Sequence, residues 1–258
     1  MQVIIIVIIS LSSTFARLIN SISKSCFFNI YMYGNIIFIF DFDSTFTQVE
    51  ALDLLADIAL SGSDKAEKLA AIAELTQKGM SGEISFSQSL QERMNILSGT
   101  KEDINRLVSQ LKTNISKSIS ANKHFFDTYK ANIYIISSGF KDFIDPVVAD
   151  FNIESSHVFA NTFTWNQAGE ITGFDTQNPL CKDQGKPALV KELKLASPVI
   201  VIGDGYTDYE IKKEGFADYF IAYTENVNRP LVTKHADFIA SNFNDFLNFI
   251  SNDKSLVP

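Results

Sequence analysis

The sequence predicts an α/β fold, a doubly wound parallel sheet (a Rossmann-like core) carrying a small helical domain inserted after its first strand. Three observations lead there. Ile36 to Phe40 is an unbroken apolar run, as in a strand buried on both faces of a parallel sheet. Roughly eighty residues of helical pattern follow Thr47, far more than a loop holds. From Ile133 onward, short apolar runs alternate with helical stretches almost to the C-terminus.

The elements follow in order. After IIFIF comes DFDSTFT, a polar strand end. In the insertion the pattern predicts helices over Ala51 to Leu60, Asp64 to Lys78 behind Ser63 and closed by Gly79, and Phe86 to Leu97 closed by Gly99. Thr100 and Asp103 form a capping-box pattern ahead of the stripe Ile104, Leu107, Val108, Leu111. The sheet resumes with Ile133 to Ile136, a helix over Phe140 to Asp150 and a strand over His157 to Ala160. Thr162 to Trp165 and Glu170 to Phe174 flank a turn at Asn166 to Gly169, which reads as a β-hairpin. A helix begins near Lys186, with Pro187 in its first turn. Strands then follow at Pro198 to Ile202, Tyr219 to Ala222 and Asp237 to Ala240. The expected division is a leader at 1–31, a core at 34–47 and 131–250, a helical cap at 48–130 and a tail at 251–258.

Composition narrows the function. The chain of 258 residues has 46% hydrophobic and 20% charged residues, globular values, and its net charge of −8 argues against a sequence-independent nucleic-acid binder. Cys26 and Cys181 lack ligand spacing, so neither a disulfide framework nor a zinc site is expected. His124, His157 and His235 are scattered and read as structural or surface residues.

Chemistry concentrates at strand ends. In a parallel sheet ligands sit beyond the carboxyl ends of the strands, where this chain has Asp41 and Asp43, Ser137 after IYII, and Asp204 and Asp208 after VIVIG, joined by Lys186 at a helix start. Two neighbouring carboxylates repel one another, and a divalent cation relieves that. Together these groups amount to a carboxylate nucleophile, a donor to phosphate oxygens, a fixed cation and metal ligands, the requirements of phosphoryl transfer. Alternatively, DFDST alone is a strand leading into an acidic, Ser/Thr-capped turn, and Asp208 a helix-start carboxylate favoured by the dipole.

DFDST, ISSGF at Ile136 to Phe140, GKPALVKEL from Gly185 and GDGYTDYE from Gly203 resemble, in order and in strand context, the four motifs of the haloacid dehalogenase (HAD) superfamily of phosphatases, and within it the phosphoserine phosphatases with a helical (C1-type) cap. The resemblance spans Ile36 to about Ile250. It implies a Mg²⁺-dependent hydrolase that converts O-phosphoserine to serine and phosphate through an aspartyl-phosphate on Asp41, the last step of serine biosynthesis. Asp43 would be the general acid/base and would also reach the metal through its backbone carbonyl. Asp41, Asp204 and Asp208 would complete the metal site, and Thr207 would lie near the substrate phosphate. Ser137, with the backbone N–H groups of Ser138 and Gly139 at a helix start, would bind phosphoryl oxygens, and Lys186 would bridge nucleophile and phosphate. In the cap, Glu50 would receive the substrate ammonium, Arg93 clamp its carboxylate, and Met80 and Phe86 form an apolar wall. Ser138 and Pro187 depart from the glycines common in the family.

Other readings remain open. A sister phosphatase for a methionine-salvage intermediate or phosphocholine would keep the core motifs without needing both Glu50 and Arg93, and a non-catalytic phosphate-binding module would not need Asp43. Residues 1–31 contain no acidic residue and carry only Arg17 and Lys24. They read as an upstream extension before Met32, with a signal ending at Ala16, a transit peptide or a membrane anchor as alternatives. The expected compartment is the cytoplasm, or export or an organelle if that leader is a targeting segment; no membrane partner is expected.

Overall fold

The computed structural model describes residues 36–81, 83–195, 198–253 and 256. The leader, with Ala16, Arg17, Lys24 and Cys26, lies outside the described residues, as do Met32 and part of the tail. Six strands form one parallel sheet in the order β3-β2-β1-β6-β7-β8: β1 (Ile37–Phe40), β2 (Ile133–Phe140), β3 (Val158–Asn161), β6 (Val199–Gly203), β7 (Tyr219–Tyr223) and β8 (Phe238–Ala240). β1 is central. Phe38 faces Ile133 on β2 and Ile200 on β6, so apolar side chains meet on both flanks of the strand that carries DFDST. The chain order reverses at β1, and the crevice beyond its carboxyl end is where such sheets bind ligands. β4 (Phe163–Trp165) and β5 (Ile171–Phe174) form the antiparallel hairpin.

Between β1 and β2 the chain forms α1 (Ala51–Ala59), α2 (Lys65–Ser81), α3 (Phe86–Ile96), α4 (Lys101–Thr113), α5 (Lys117–Ala121) and α6 (Lys123–Tyr129). The capping box that opens α4 is complete: Asp103 N–H donates to Thr100 Oγ1 at 3.2 Å, and Thr100 N–H donates to Asp103 Oδ2 at 2.8 Å. Gly79 does not end α2, which runs on to Ser81. A Cβ at 79 would lie 2.7 Å from Ser89 Oγ of α3, so this glycine serves the crossing of two helices. α6 packs beneath the sheet: the Phe125 ring centroid is 5.1 Å from that of Phe38, and Phe126 is 5.4 Å from Phe40.

β2 is twice as long as the apolar run IYII that marked it, because SSGF continues the strand and Phe140 pairs with Asn161. The following helix, α7 (Lys141–Val148), starts one residue later than expected. The remaining helices are α8 (Gly185–Leu193), α9 (Tyr206–Lys213), α10 (Pro230–Thr233) and α11 (Phe243–Asn252). Phe243 and Phe246 of α11 join the rings of β1 and α6 in a buried aromatic layer. Such rings bury large apolar areas, and at edge-to-face separations each pair adds about 0.5–1.5 kcal/mol. This layer supports the strand that presents Asp41. Among the described residues no helix is long and apolar enough to cross a membrane.

Candidate active site

At the end of β1 the ladder continues for one residue, as Asp41 N–H donates to Ile202 O at 2.9 Å. Asp41 Oδ1 then accepts from Phe42 N–H at 2.8 Å, and the chain kinks through Phe42–Phe46 with Ser44 in the left-handed region at φ 54°. The kink carries Asp43 toward α1, where its Oδ1 accepts the Ala51 N–H at 2.7 Å. That donor is the first residue of a helix, and its dipole favours a carboxylate.

Lys186, in the first turn of α8, is 3% exposed and lies between two carboxylates, with its Nζ 2.8 Å from Asp41 Oδ1 and 2.7 Å from Asp208 Oδ1. Burial pulls its pKa down, but Asp208 and Asp41 outweigh this and hold the ammonium above its ordinary value. Asp208 is buried behind the lysine and accepts Gly205 N–H at 3.0 Å. Burial and the charge of Asp41 push its pKa up to about 8 against the opposing pull of Lys186. Asp204 is held at both oxygens, Oδ1 by Thr45 Oγ1 at 3.1 Å and Oδ2 by Arg229 Nε at 2.9 Å. Its pKa is raised by burial and by Asp41. Asp43 is raised well above the usual carboxylate range by burial and then by Glu50, with the Ala51 N–H opposing.

One cavity is lined by Asp41, Asp43, Lys186, Asp204, Ser137, Ser138, Gly139 and Thr207 from the sheet side. From the inserted helices come Glu50, Met80, Phe86 and Arg93. Of the residues singled out in the sequence, Asp208 alone does not line it. Ser138 and Gly139 lie in β2 rather than at a helix start, and the Gly139 N–H is taken by Ser137 Oγ at 2.9 Å. A register shift between Ile136 and Phe140 breaks the pairing with β3 across this run, and α7 begins only at Lys141, so neither residue sits in a helix's first turn. Gly139 instead leaves space: a Cβ would sit 3.0 Å from Asp43 Oδ2 and 3.1 Å from Ser137 Oγ. Gly203 does the same for Asp208, whose carboxylate occupies the position a Cβ would take.

The far side of the cavity holds the opposite charges. Arg93 is 6% exposed, and among the described residues its guanidinium donates to Ser89 O and Thr76 Oγ1, both at 3.3 Å, with no carboxylate in salt-bridge range. Burial lowers its pKa, while Asp53, Glu50 and Asp43 act the other way. Glu50 Oε1 accepts Ser44 Oγ at 2.7 Å, and burial followed by Asp204 raises its pKa to about 7. Arg229, on the loop after β7, escaped the sequence reading. It reaches Glu50 Oε1 at 3.5 Å as well as Asp204. No motif surrounds it, and only the spatial approach of the two acids to one guanidinium distinguishes it from a surface arginine.

Asp41, Asp204 and Asp208 each bring a carboxylate oxygen within 4.8 Å of the others. With burial and mutual repulsion raising two of the three, this donor set fits a divalent cation, which favours oxygen ligands and relieves such crowding. The carboxylate of Asp43 is not part of this group.

The haloacid dehalogenase-like hydrolase family matches residues 38–211. A human phosphoserine phosphatase is 31% identical over 211 residues, covering 81% of this chain and 90% of the human protein. The chloroplastic phosphoserine phosphatase of Arabidopsis thaliana is 30% identical over 212 residues, covering 81% of this chain and 70% of the plant protein. Among solved structures, a phosphoserine phosphohydrolase-like protein from Francisella tularensis superposes with a TM-score of 0.74 at 34% identity, covering 83% of this chain and 99% of that one. The chain belongs to the haloacid dehalogenase-like hydrolase family and groups within it with the phosphoserine phosphatases.

Proposed function

We propose that this protein hydrolyses O-phosphoserine to serine and phosphate, with Asp41 as nucleophile. The observation that carries the substrate assignment is the buried Arg93 guanidinium, which has no carboxylate partner among the described residues and shares a cavity with Glu50 and Asp41. A desolvated cation is costly until an anion joins it, and a guanidinium fork suits a carboxylate. Glu50 supplies the complementary anion for an ammonium group. One acid and one base apart from the phosphoryl site match an amino-acid zwitterion better than a sugar or nucleotide.

In the first step an Asp41 oxygen attacks phosphorus, the bond from phosphorus to the seryl oxygen breaks, and Asp43 gives its proton to that oxygen. The raised pKa of Asp43 supports a protonated, donating carboxyl at the start. In the second step water attacks phosphorus and loses its proton to Asp43, the bond from phosphorus to Asp41 breaks, and phosphate leaves. Two displacements replace one difficult hydrolysis. Lys186 orients Asp41 and places positive charge beside the phosphoryl oxygens, and Ser137 donates to one of them. Asp41, Asp204, Asp208 and the backbone carbonyl of Asp43 would hold Mg²⁺. When bound, that ion neutralises phosphoryl charge as the transition state forms. The helices from α1 onward that face the cavity act as a cap that excludes water during the first step and admits it for the second.

Phosphate release from a panel of small phosphomonoesters, including phosphocholine, tests the reading. Phosphoserine should lead the panel, and Arg93→Ala should remove that lead. Equal rates across the panel, unaffected by Arg93→Ala, would defeat the substrate assignment.

A further inference from the structure

The loop after β7 holds the stretch leaving β1 and a stretch within the insertion with a single side chain. The two hydrogens on Asn226 Nδ2 are shared among three acceptors, Ser44 O at 3.1 Å, Thr47 O at 3.2 Å and Ser116 Oγ at 2.6 Å. Ser116 Oγ in turn donates to Thr45 O at 2.6 Å. One amide thus ties the stretch leaving β1 to the stretch that follows α4.

Its contact with Ser44 bears on recognition. A residue with a Cβ is disfavoured in the left-handed region. At φ 54°, Ser44 is held there by its carbonyl bond from Asn226 and by its own N–H donating to Val49 O at 3.3 Å. In that conformation its hydroxyl donates to Glu50 Oε1 at 2.7 Å. Only a donor serves at 226, because both linker contacts on the backbone are carbonyl oxygens; an isosteric carboxylate would set lone pairs against them.

We propose that Asn226 is a positioning residue for amine recognition: by fixing the left-handed turn at Ser44 it aims the Ser44 hydroxyl at Glu50 and so orients that carboxylate toward the substrate ammonium. The proposal rests on the reading of Glu50 given above. It makes the core sheet, through the loop after β7, the element that sets amine selectivity.

The test compares two esters, phosphoserine and 3-phosphoglycerate, which carries a hydroxyl in place of the amine, on the full chain with Mg²⁺. In Asn226→Asp and Asn226→Ser the ratio of kcat/KM for phosphoserine over 3-phosphoglycerate should fall at least tenfold, through KM for phosphoserine, with 3-phosphoglycerate turnover within threefold of the parent. A ratio within twofold of the parent, or equal loss on both esters, overturns the proposal. If neither variant folds, Ser44→Ala must reproduce the fall, and an unchanged ratio there overturns the relay. A parent with no preference between the esters overturns the reading of Glu50, and this proposal with it.

Discussion

The Lys186 ammonium lies 2.8 Å from Asp41 Oδ1, the carboxylate at the tip of the central strand, and both groups are withdrawn from solvent. The pair sets a carboxylate and a fixed positive charge side by side before substrate arrives, so the proposed reaction leaves little reorganisation to be done.

Replacing Asp41 with Asn keeps the shape and removes the proposed nucleophile. Turnover in a phosphate-release assay should drop below one part in a thousand while the circular-dichroism spectrum stays that of the parent. Activity within tenfold of the parent would mean another group attacks phosphorus.

Lys186→Met strands two buried carboxylates beside one another. Breaking a buried pair in this way typically costs about 3–5 kcal/mol. Urea unfolding without added metal should show a loss of that order, together with abolished turnover, and an unchanged midpoint would contradict the pairing.

Glu50 gives a pH dependence with a defined sign. Its folded pKa of about 7 lies above the ordinary 4.5, so between those values the folded protein holds a proton that the unfolded chain does not. Stability from this group therefore falls as pH rises from 4.5 toward 7, and the penalty is complete above 7. Glu50→Gln should raise Tm at pH 8 and lose that advantage near pH 4.5. In the parent, KM for phosphoserine should climb as pH falls below 7 relative to an amine-free ester.

Mg²⁺ should bind the folded protein in the absence of substrate. At a free concentration about 100 times Kd the stabilisation is about 2.7 kcal/mol, readable as a rise in Tm. Asp204→Asn should abolish the rise at the same concentration. A parent Tm indifferent to Mg²⁺, with activity that survives chelation, would remove the metal from the reaction.

The sheet and its polar ends were legible because apolar runs such as IIFIF and VIVIG stop abruptly at charged residues, a pattern that a buried parallel strand imposes on its sequence. Where that contrast is absent the reading failed. SSGF continues β2 despite its polarity, with Phe140 opposite Asn161 beyond a register shift and the Ser138 carbonyl accepting Asn161 Nδ2, so Ser138 and Gly139 lie ahead of the helix rather than in its first turn. Gly79 reads as a terminator along the chain but serves a helix crossing that only the fold creates. Asp208 does join Asp41 and Asp204 in one carboxylate cluster, as its residue type suggested, but its place behind Lys186 rather than on the cavity wall follows from packing. Arg229 and Asn226 gave no signal, because their partners at Glu50, Asp204, Ser44 and Ser116 come from distant parts of the chain.

Gly139 and Gly203 carry a consequence for variation at this site. Neither has the positive φ that usually demands glycine; at 203 the Asp208 carboxylate already fills the volume of a methyl group, while at 139 a Cβ would press on Asp43 Oδ2 at 3.0 Å. Substituting alanine at 203 would displace the Asp208 carboxylate and with it the ammonium it anchors, so a change that leaves every charge in the sequence intact should silence the enzyme as surely as removing one.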